Sequence, residues 1–502
     1  MPAVSLAAWP RMARVKVQLF GVALGCATGI DFVATSMLAT GAVHIRSGVY
    51  ATPDDFLWCL TAYAGAAIIA NLVLRRVADY IGYRDLTLLG LFVATIGCLL
   101  CTLSNNVVEL SLSIAVQGLG AGGLFAASRT LIQLVAAPSE RAVLLRPFVA
   151  GALGLSAVTP WITATLMLDA GWRTIFVFQA VACVATAILV ASTYPQCVRP
   201  PCPPTLDRVA RLDWFTVLIV AAGSLILLHG LADLRIYTAS NSLGVFAWPA
   251  TGVLLMACGM FRLHRHPQPW INTRRLNGPR YLTGIGLYAT YYVFSGLWSY
   301  LVSSLMQLGL GFTFETTGRT LTIAGAFGAL AALTYVLFGM QLPGARRYFA
   351  LGYLMVACAA WLLADRVMTG LSIDRLLPVL MLQSAAVPFS LLVVAKLTFT
   401  ETAVEDFAHA YQMKNIVRQI ALAAGTGIAA QYLQYSEAVT RANLVARIDA
   451  AAAWHQSVEA LEAMSTQIDQ QAVLVGASNL LAIVASACVV VAIVAAFQRW
   501  LR

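Results

Sequence analysis

GVALGCATGIDFVATSMLAT, residues 21 to 40, is apolar over the roughly 20 residues that a helix needs to cross a bilayer, yet it carries one carboxylate, Asp31, near its middle. Runs like it recur from end to end of the 502-residue chain. Residues of the hydrophobic classes make up 60% of it and charged residues only 11%, against about a quarter charged in soluble domains. Mean hydropathy is +0.79. Within lipid such runs must be helices, because the strands of an open sheet would leave backbone groups unpaired. The expected fold is therefore all-α and integral to a membrane.

Counting outward from that stretch gives fourteen spans: six between residues 17 and 193, two between 214 and 262, and six between 281 and 497. A Pro- and Arg-rich segment, YPQCVRPPCPPTLDRVARLD (194–213), ends the first six, and a basic one, HRHPQPWINTRRLNGPR (264–280), precedes the last six. The expected organisation is an N-terminal six-helix bundle over 1–213, an inserted pair over 214–262 and a second six-helix bundle over 263–502. The one long outer loop, 436–472, is rich in Ala and Glu and reads as a mildly acidic helical hairpin.

Lys and Arg set the orientation. With the first residues cytoplasmic, 24 of the 32 basic side chains fall on the inner side and 8 on the outer, which places both ends of the chain inside. The net charge of +10 then reflects loops facing anionic headgroups and needs no nucleic acid. Arg11 to Lys16 before an apolar run also resembles the start of a secretory signal, but the length of the run and Asp31 argue against cleavage.

Several function classes lack their signatures. No G-x-x-x-x-G-K-[ST] loop is present for an ATP-driven pump, and the six histidines are scattered with no H-E-x-x-H. Cys98 and Cys101 in CLLC have no histidine near them and read as packing. Cys197 and Cys202 lie on the reducing side, where no lasting disulfide is expected. No metal or cofactor is expected. Two six-helix halves suit alternating access around a central cavity.

Particular segments carry a resemblance. RRVADYIGYRD (75–85) resembles a cytoplasmic loop signature through Ala78, Asp79, Gly82 and Arg84. QGLGAGG (117–123), PSERA (138–142), WRTIF (172–176), RLDWF (211–215) and YQMKNIVRQIALAAGTGIAA (411–430) resemble further conserved segments of the same group. Together they make the chain similar to the major facilitator superfamily, and within it to the fourteen-helix drug:proton antiporters. Ile114 stands where that group has a fourth-helix arginine, and TPWITA (159–164) keeps only Pro160 of its fifth-helix export signature. The resemblance implies a proton gradient as energy source, with Asp31 at the position of an acidic first-helix residue.

The residues themselves suggest roles. A charged Asp at mid-membrane costs roughly 2.5 to 3.5 kcal/mol, so Asp31 should face an interior or a watery cavity. It reads as a proton carrier or as a structural carboxylate bonded to another helix. Gly21, Gly25 and Gly29 give the same helix a smooth packing face. Arg129, Arg146 and Arg418 are potential charge partners, or anchors that snorkel to headgroups; Lys396 reads as an anchor. Tyr288, Tyr291, Tyr292, Ser295 and Trp298 share one helix face and suit a substrate wall, with Trp298 also fitting an interfacial belt. Gln117 and Pro160 are further cavity candidates. Asp79 and Arg84, across a turn at Gly82, could bond to each other as a gate or simply hold the loop inside.

The functional expectation is a multi-pass proton-coupled transporter of the bacterial inner membrane that exports a small organic compound. Import in the same fold, for instance of a siderophore or metal chelate, is the alternative. A third possibility is a transport-silent scaffold that binds a periplasmic adaptor through 436–472.

Overall fold

The computed structural model describes residues 13–136, 140–195, 213–232, 242–339, 345–399, 402–403, 405–446 and 458–500. The CVRPPC cysteines and the middle of the expected outer hairpin lie outside them. The described residues are helical, with no strand among them.

The first part of the chain forms α1 (Ala13–Thr40), a short α2 (Ala42–Gly48), α3 (Pro53–Ile81), α4 (Tyr83–Leu103), α5 (Val107–Ala121), α6 (Leu124–Val135), α7 (Arg141–Ala170) and α8 (Thr174–Thr193). Next come α9 (Trp214–Ala232) and α10 (Ser242–Arg265). The rest forms α11 (Pro279–Ser304), α12 (Phe314–Phe338), α13 (Ala345–Arg366), α14 (Ile373–Ala385), α15 (Val393–Thr398), α16 (Phe407–Val445) and α17 (Val458–Phe497).

Local chemistry sets many of the boundaries. Thr52 and Asp55 form a reciprocal capping box at the start of α3. Asn106 caps α5 by accepting from the Glu109 amide at 2.9 Å, and Thr313 caps α12 by accepting from Thr316 N. Gly82 ends α3 and opens α4 at φ +85°, a conformation that a side chain would strain. The expected fourth span is broken at Gly122 and Gly123 into α5 and α6.

Twelve of the described helical segments are long and apolar enough to cross a bilayer, two fewer than the fourteen expected. The two expected spans that miss this mark fall on α11 and α16. Both are long, and α16 carries Gln412, Lys414, Asn415, Arg418 and Gln419 buried along it. Their polarity, not their length, takes them out of the count. Elsewhere the outer surface is apolar: Phe92, Leu103, Val181, Leu254, Trp361 and Phe497 are exposed. An apolar exterior around a polar interior is the arrangement a lipid solvent demands.

Packing follows the small residues. A side chain at Gly25 would meet Phe148 O at 2.4 Å, so α1 lies against the backbone of α7, with Gly21 against Pro147 and Gly29 against Leu155. Helix α11 packs on α16 at Gly296 and Gly425. The α9–α10 hairpin leans on α3 and α16, with Leu225 against Gly65 and Ala232 against Gly427. Buried residues between Leu287 and Ala495 form one core confined to the last part of the chain.

The segment after α10 is well bonded. Arg262 donates to Asp213 Oδ2 at 2.8 Å, Thr216 Oγ1 donates to it at 2.5 Å, and Trp270 Nε1 donates to Asp213 O at 3.0 Å. Arg76 reaches Pro269 O, and Arg275 reaches Asp406. Burial pushes the Asp213 carboxyl up, but hydrogen bonds from Thr216 and Arg262 outweigh it and hold it below the usual range.

Candidate functional site

Asp31 is completely buried, on the face of α1 opposite the glycines. Its Oδ1 accepts from Tyr63 OH of α3 at 2.7 Å and more weakly from Gln419 Nε2 at 3.4 Å. Its Oδ2 accepts from Arg418 Nη2 of α16, whose side chain is 1% exposed. The pair joins the two parts of the chain, 387 residues apart in sequence. Arg418 is therefore a charge partner and not a headgroup anchor, as its burial alone requires.

The network continues along α16. Arg418 Nε donates to Asn415 Oδ1 at 2.7 Å; Asn415 Nδ2 donates to Asn71 Oδ1 and to Gly122 O; Gln412 Nε2 donates to Asn71 O and Leu72 O. Every bond of this group except the first crosses from α16 to α3 or to the α5–α6 break. The break frees Gly122 O to accept from both asparagines.

Above Arg418 lies a cavity of about 330 Å³, lined in part by Phe32, Thr35, Ser36, Tyr63, Tyr291, Tyr292, Ser295, Arg418 and Gln419. It is within the size range of small-molecule sites. It extends toward Ala39, Leu60, Ser299 and Thr426, and a narrower space of about 60 Å³ continues from three of these to Arg46, Tyr300 and Gln307. A π-helical turn, Pro388–Leu392, brings Leu391 to the wall beside Val387. On the other side of Arg418 the space is filled by the stacked rings of Phe399, Phe407 and Tyr411.

The structure sorts the residues singled out from sequence. Tyr291, Tyr292 and Ser295 line the cavity. Tyr288 lies on the same helix face but beyond the floor, 4.8 Å from Tyr292 ring to ring. Trp298 is buried in the second core and belongs to neither cavity wall nor belt. Gln117 donates to Cys98 Sγ between α5 and α4, and Pro160 packs against Gly318 of α12; neither reaches the cavity. Arg129 donates to Tyr411 OH at 3.1 Å on the filled side, while Arg146 is exposed.

Asp79 and Arg84 are not brought together. Asp79 pairs within its own helix with Arg75 at 3.1 Å, and Arg84 donates to Ala191 O of α8. The positive φ at Gly82 sends α4 off in a direction that carries Arg84 to α8. Sequence reasoning missed Tyr63, Asn71, Lys414, Asn415 and Gln419. The signal for Lys414, Asn415 and Gln419 was the polar stripe on α16 at 411, 412, 414, 415, 418 and 419, spaced as one helix side.

Comparison with known proteins agrees with this geometry. The family model described as Major Facilitator Superfamily matches residues 24–426. The chain belongs to the major facilitator superfamily. The curated relatives it matches carry the names of transporters and efflux pumps. An uncharacterized MFS-type transporter, Rv1250, of Mycobacterium tuberculosis is 30% identical over 44% of this chain and 36% of its own length. The efflux pump FUS6 of Gibberella moniliformis is 24% identical over 39% of this chain and 34% of its own. The chain thus matches about a third of the length of these relatives. The crystal structure of an auto-inhibited POT family peptide transporter superposes over 96% of both chains with a TM-score of 0.60 at 13% identity, a likeness of fold alone.

Proposed function

We propose that this superfamily member is a proton-coupled secondary transporter of a small organic compound, of the fourteen-helix antiporter type and resident in a bacterial inner membrane with both ends of the chain cytoplasmic. In this reading α11 and α16 also cross the bilayer, their polar faces turned to the cavity and away from lipid. The cavity then opens outward, and the aromatic rings and the Asn71–Asn415 contacts close the inner side. Bundles 1–213 and 263–502 rock about the site, and 214–262 rides against α3 and α16.

One observation carries the proposal: Asp31 of α1 is bonded to Arg418 of α16 at the cavity floor. A carboxylate in that position ties the two bundles while ionised and loosens them when a proton takes up its charge, so the tie acts as a two-state element biased by protons. Export is the direction supported by relatives named as efflux pumps. Uptake is favoured by a different observation: Arg418 lines the cavity while bonded to Asp31, so a proton taking up the Asp31 charge would leave Arg418 to a negatively charged compound and the two would load together.

The test is accumulation of lipophilic cations, organic acids and ferric chelates in cells carrying wild type, Asp31→Asn or empty vector, with and without an uncoupler. Wild-type accumulation should fall below, or rise above, that of empty vector for some compound, and both Asp31→Asn and the uncoupler should erase the difference. The sign gives the direction. A panel in which wild type never differs from empty vector rejects the transport reading.

A further inference from the structure

We infer that the cavity takes an organic anion whose acid group docks on Arg418, with the buried Lys414 behind it adding positive charge, and that this anion loads together with the proton on Asp31. The inference deepens the uptake reading of the proposed function, since a proton and an anion that load together move the same way, and rests on that function for the role of Asp31.

Lys414 lies one turn before Arg418 on α16, about 6 Å along the axis, and is 3% exposed. Its ammonium sits among four rings, at 4.4 Å from the centre of Tyr288, 4.7 Å from Tyr411, 5.0 Å from Phe125 and 5.7 Å from Phe399. Ring faces offset part of the cost of burying a cation but supply no counter-charge. Among the described residues no carboxylate lies within ion-pair distance of Lys414. The Tyr288 hydroxyl beside it is buried without a hydrogen-bond partner.

Two buried basic side chains therefore share one buried carboxylate, with Arg129, bonded to the Tyr411 hydroxyl beside Lys414, as a third basic group nearby. While Asp31 is ionised it satisfies Arg418. Once Asp31 takes a proton, Arg418 at the cavity floor and Lys414 behind it have no anion between them, and a carboxylate, sulfonate or phosphate entering from the cavity restores the negative charge that Asp31 supplied. Phe32, Tyr291 and Tyr292 offer ring faces to the body of such a compound. A cationic compound meets the reverse: it competes with the proton for Asp31 and is repelled by both cations.

The experiment uses the purified full chain in detergent, titrated with 2-naphthoate, benzoate and hexanoate and with the amines of matched shape, with a pH dye in weak buffer to count protons. At least one acid should bind while its amine does not, and binding should take up protons from solution. Lys414→Met should weaken acid binding by about tenfold or more, with Lys414→Arg closer to wild type. If Lys414→Met does not elute as a monodisperse peak, the wild-type acid and amine titrations decide alone. Binding of amines only, binding of neither class, proton release on acid binding, or acid binding unchanged in a well-behaved Lys414→Met overturns the inference. Asp31-dependent transport confined to cations in the cellular assay would overturn this inference and leave the transporter reading intact; absence of all transport would do the opposite to a chain that still binds acids.

Discussion

At the scale of single residues, the Asp31–Arg418 pair is expected to bear on stability and, in the proposed function, on transport, and the two can be separated. Removing one partner of a buried pair leaves the other charge uncompensated and costs about 3 to 5 kcal/mol. Asp31→Asn and Arg418→Gln should each lower the thermal unfolding midpoint in detergent, and the double variant should recover most of the loss while remaining unable to transport. Equal loss in the double and the singles would show that the charges are not held against each other. Asp31 was legible in the sequence because a lone carboxylate in an apolar run has few explanations. Arg418 was legible only as a match to a family segment, since an arginine near the start of a span also fits a headgroup anchor. Tyr63 gave no signal: a tyrosine among alanines reads as packing until the carboxylate it serves is placed opposite. Lys414 was counted with the inner-side cations, because a one-dimensional reading cannot see Phe125, Tyr288, Phe399 and Tyr411 closing round it.

At the scale of elements, small residues and caps explain how the helices sit. Gly25→Ala should destabilise the protein by about 1 to 3 kcal/mol, since the added methyl meets the Phe148 carbonyl oxygen at 2.4 Å and the Ala152 nitrogen at 3.0 Å, and backbone cannot step aside cheaply. Gly154→Ala on α7 is the control: nothing lies within 4 Å of its methyl, so its unfolding midpoint should hold or rise. The glycine face of α1 was readable from its four-residue spacing. The separation of Asp79 from Arg84 was not, because a turn's direction depends on φ at Gly82 and sequence gives only the residue that permits it. The Asp213 cluster has a pH signature. Its carboxyl is held low in the folded state, so the stability it supplies is present above the ordinary carboxylate value of about 4 and is lost as pH falls through the lower folded value. Hydrogen-exchange protection of residues 266–278, taken relative to the unfolded-chain rate at each pH, should fall on acidification below about pH 4, and Asp213→Asn should show the lower protection already at neutral pH.

At the scale of the whole molecule, the fold was legible from hydropathy and punctuation, while its closed side was not, because that side is built from contacts between residues hundreds of positions apart. Asn71 and Asn415 exchange a hydrogen bond and share Gly122 O, and Gln412 adds two bonds to the α3 backbone. If the halves rock as proposed, these bonds exist only while the cavity opens as it does here. Their loss should therefore shift the population toward the opposite opening. Each such bond is worth about 1 kcal/mol net, so removing two changes the ratio of states by roughly tenfold or more. Ser295→Cys, placed in the cavity wall on a background lacking the ten native cysteines, reports that ratio through its labelling rate with a membrane-impermeant thiol reagent added from outside. Labelling should be fast in the otherwise intact chain and several-fold slower once Asn71→Ala and Asn415→Ala are added. A rate that stays the same would mean that the two asparagines hold the structure together without distinguishing its states. A faster rate would mean that they hold the cavity shut, and the assignment of open and closed sides would have to be reversed.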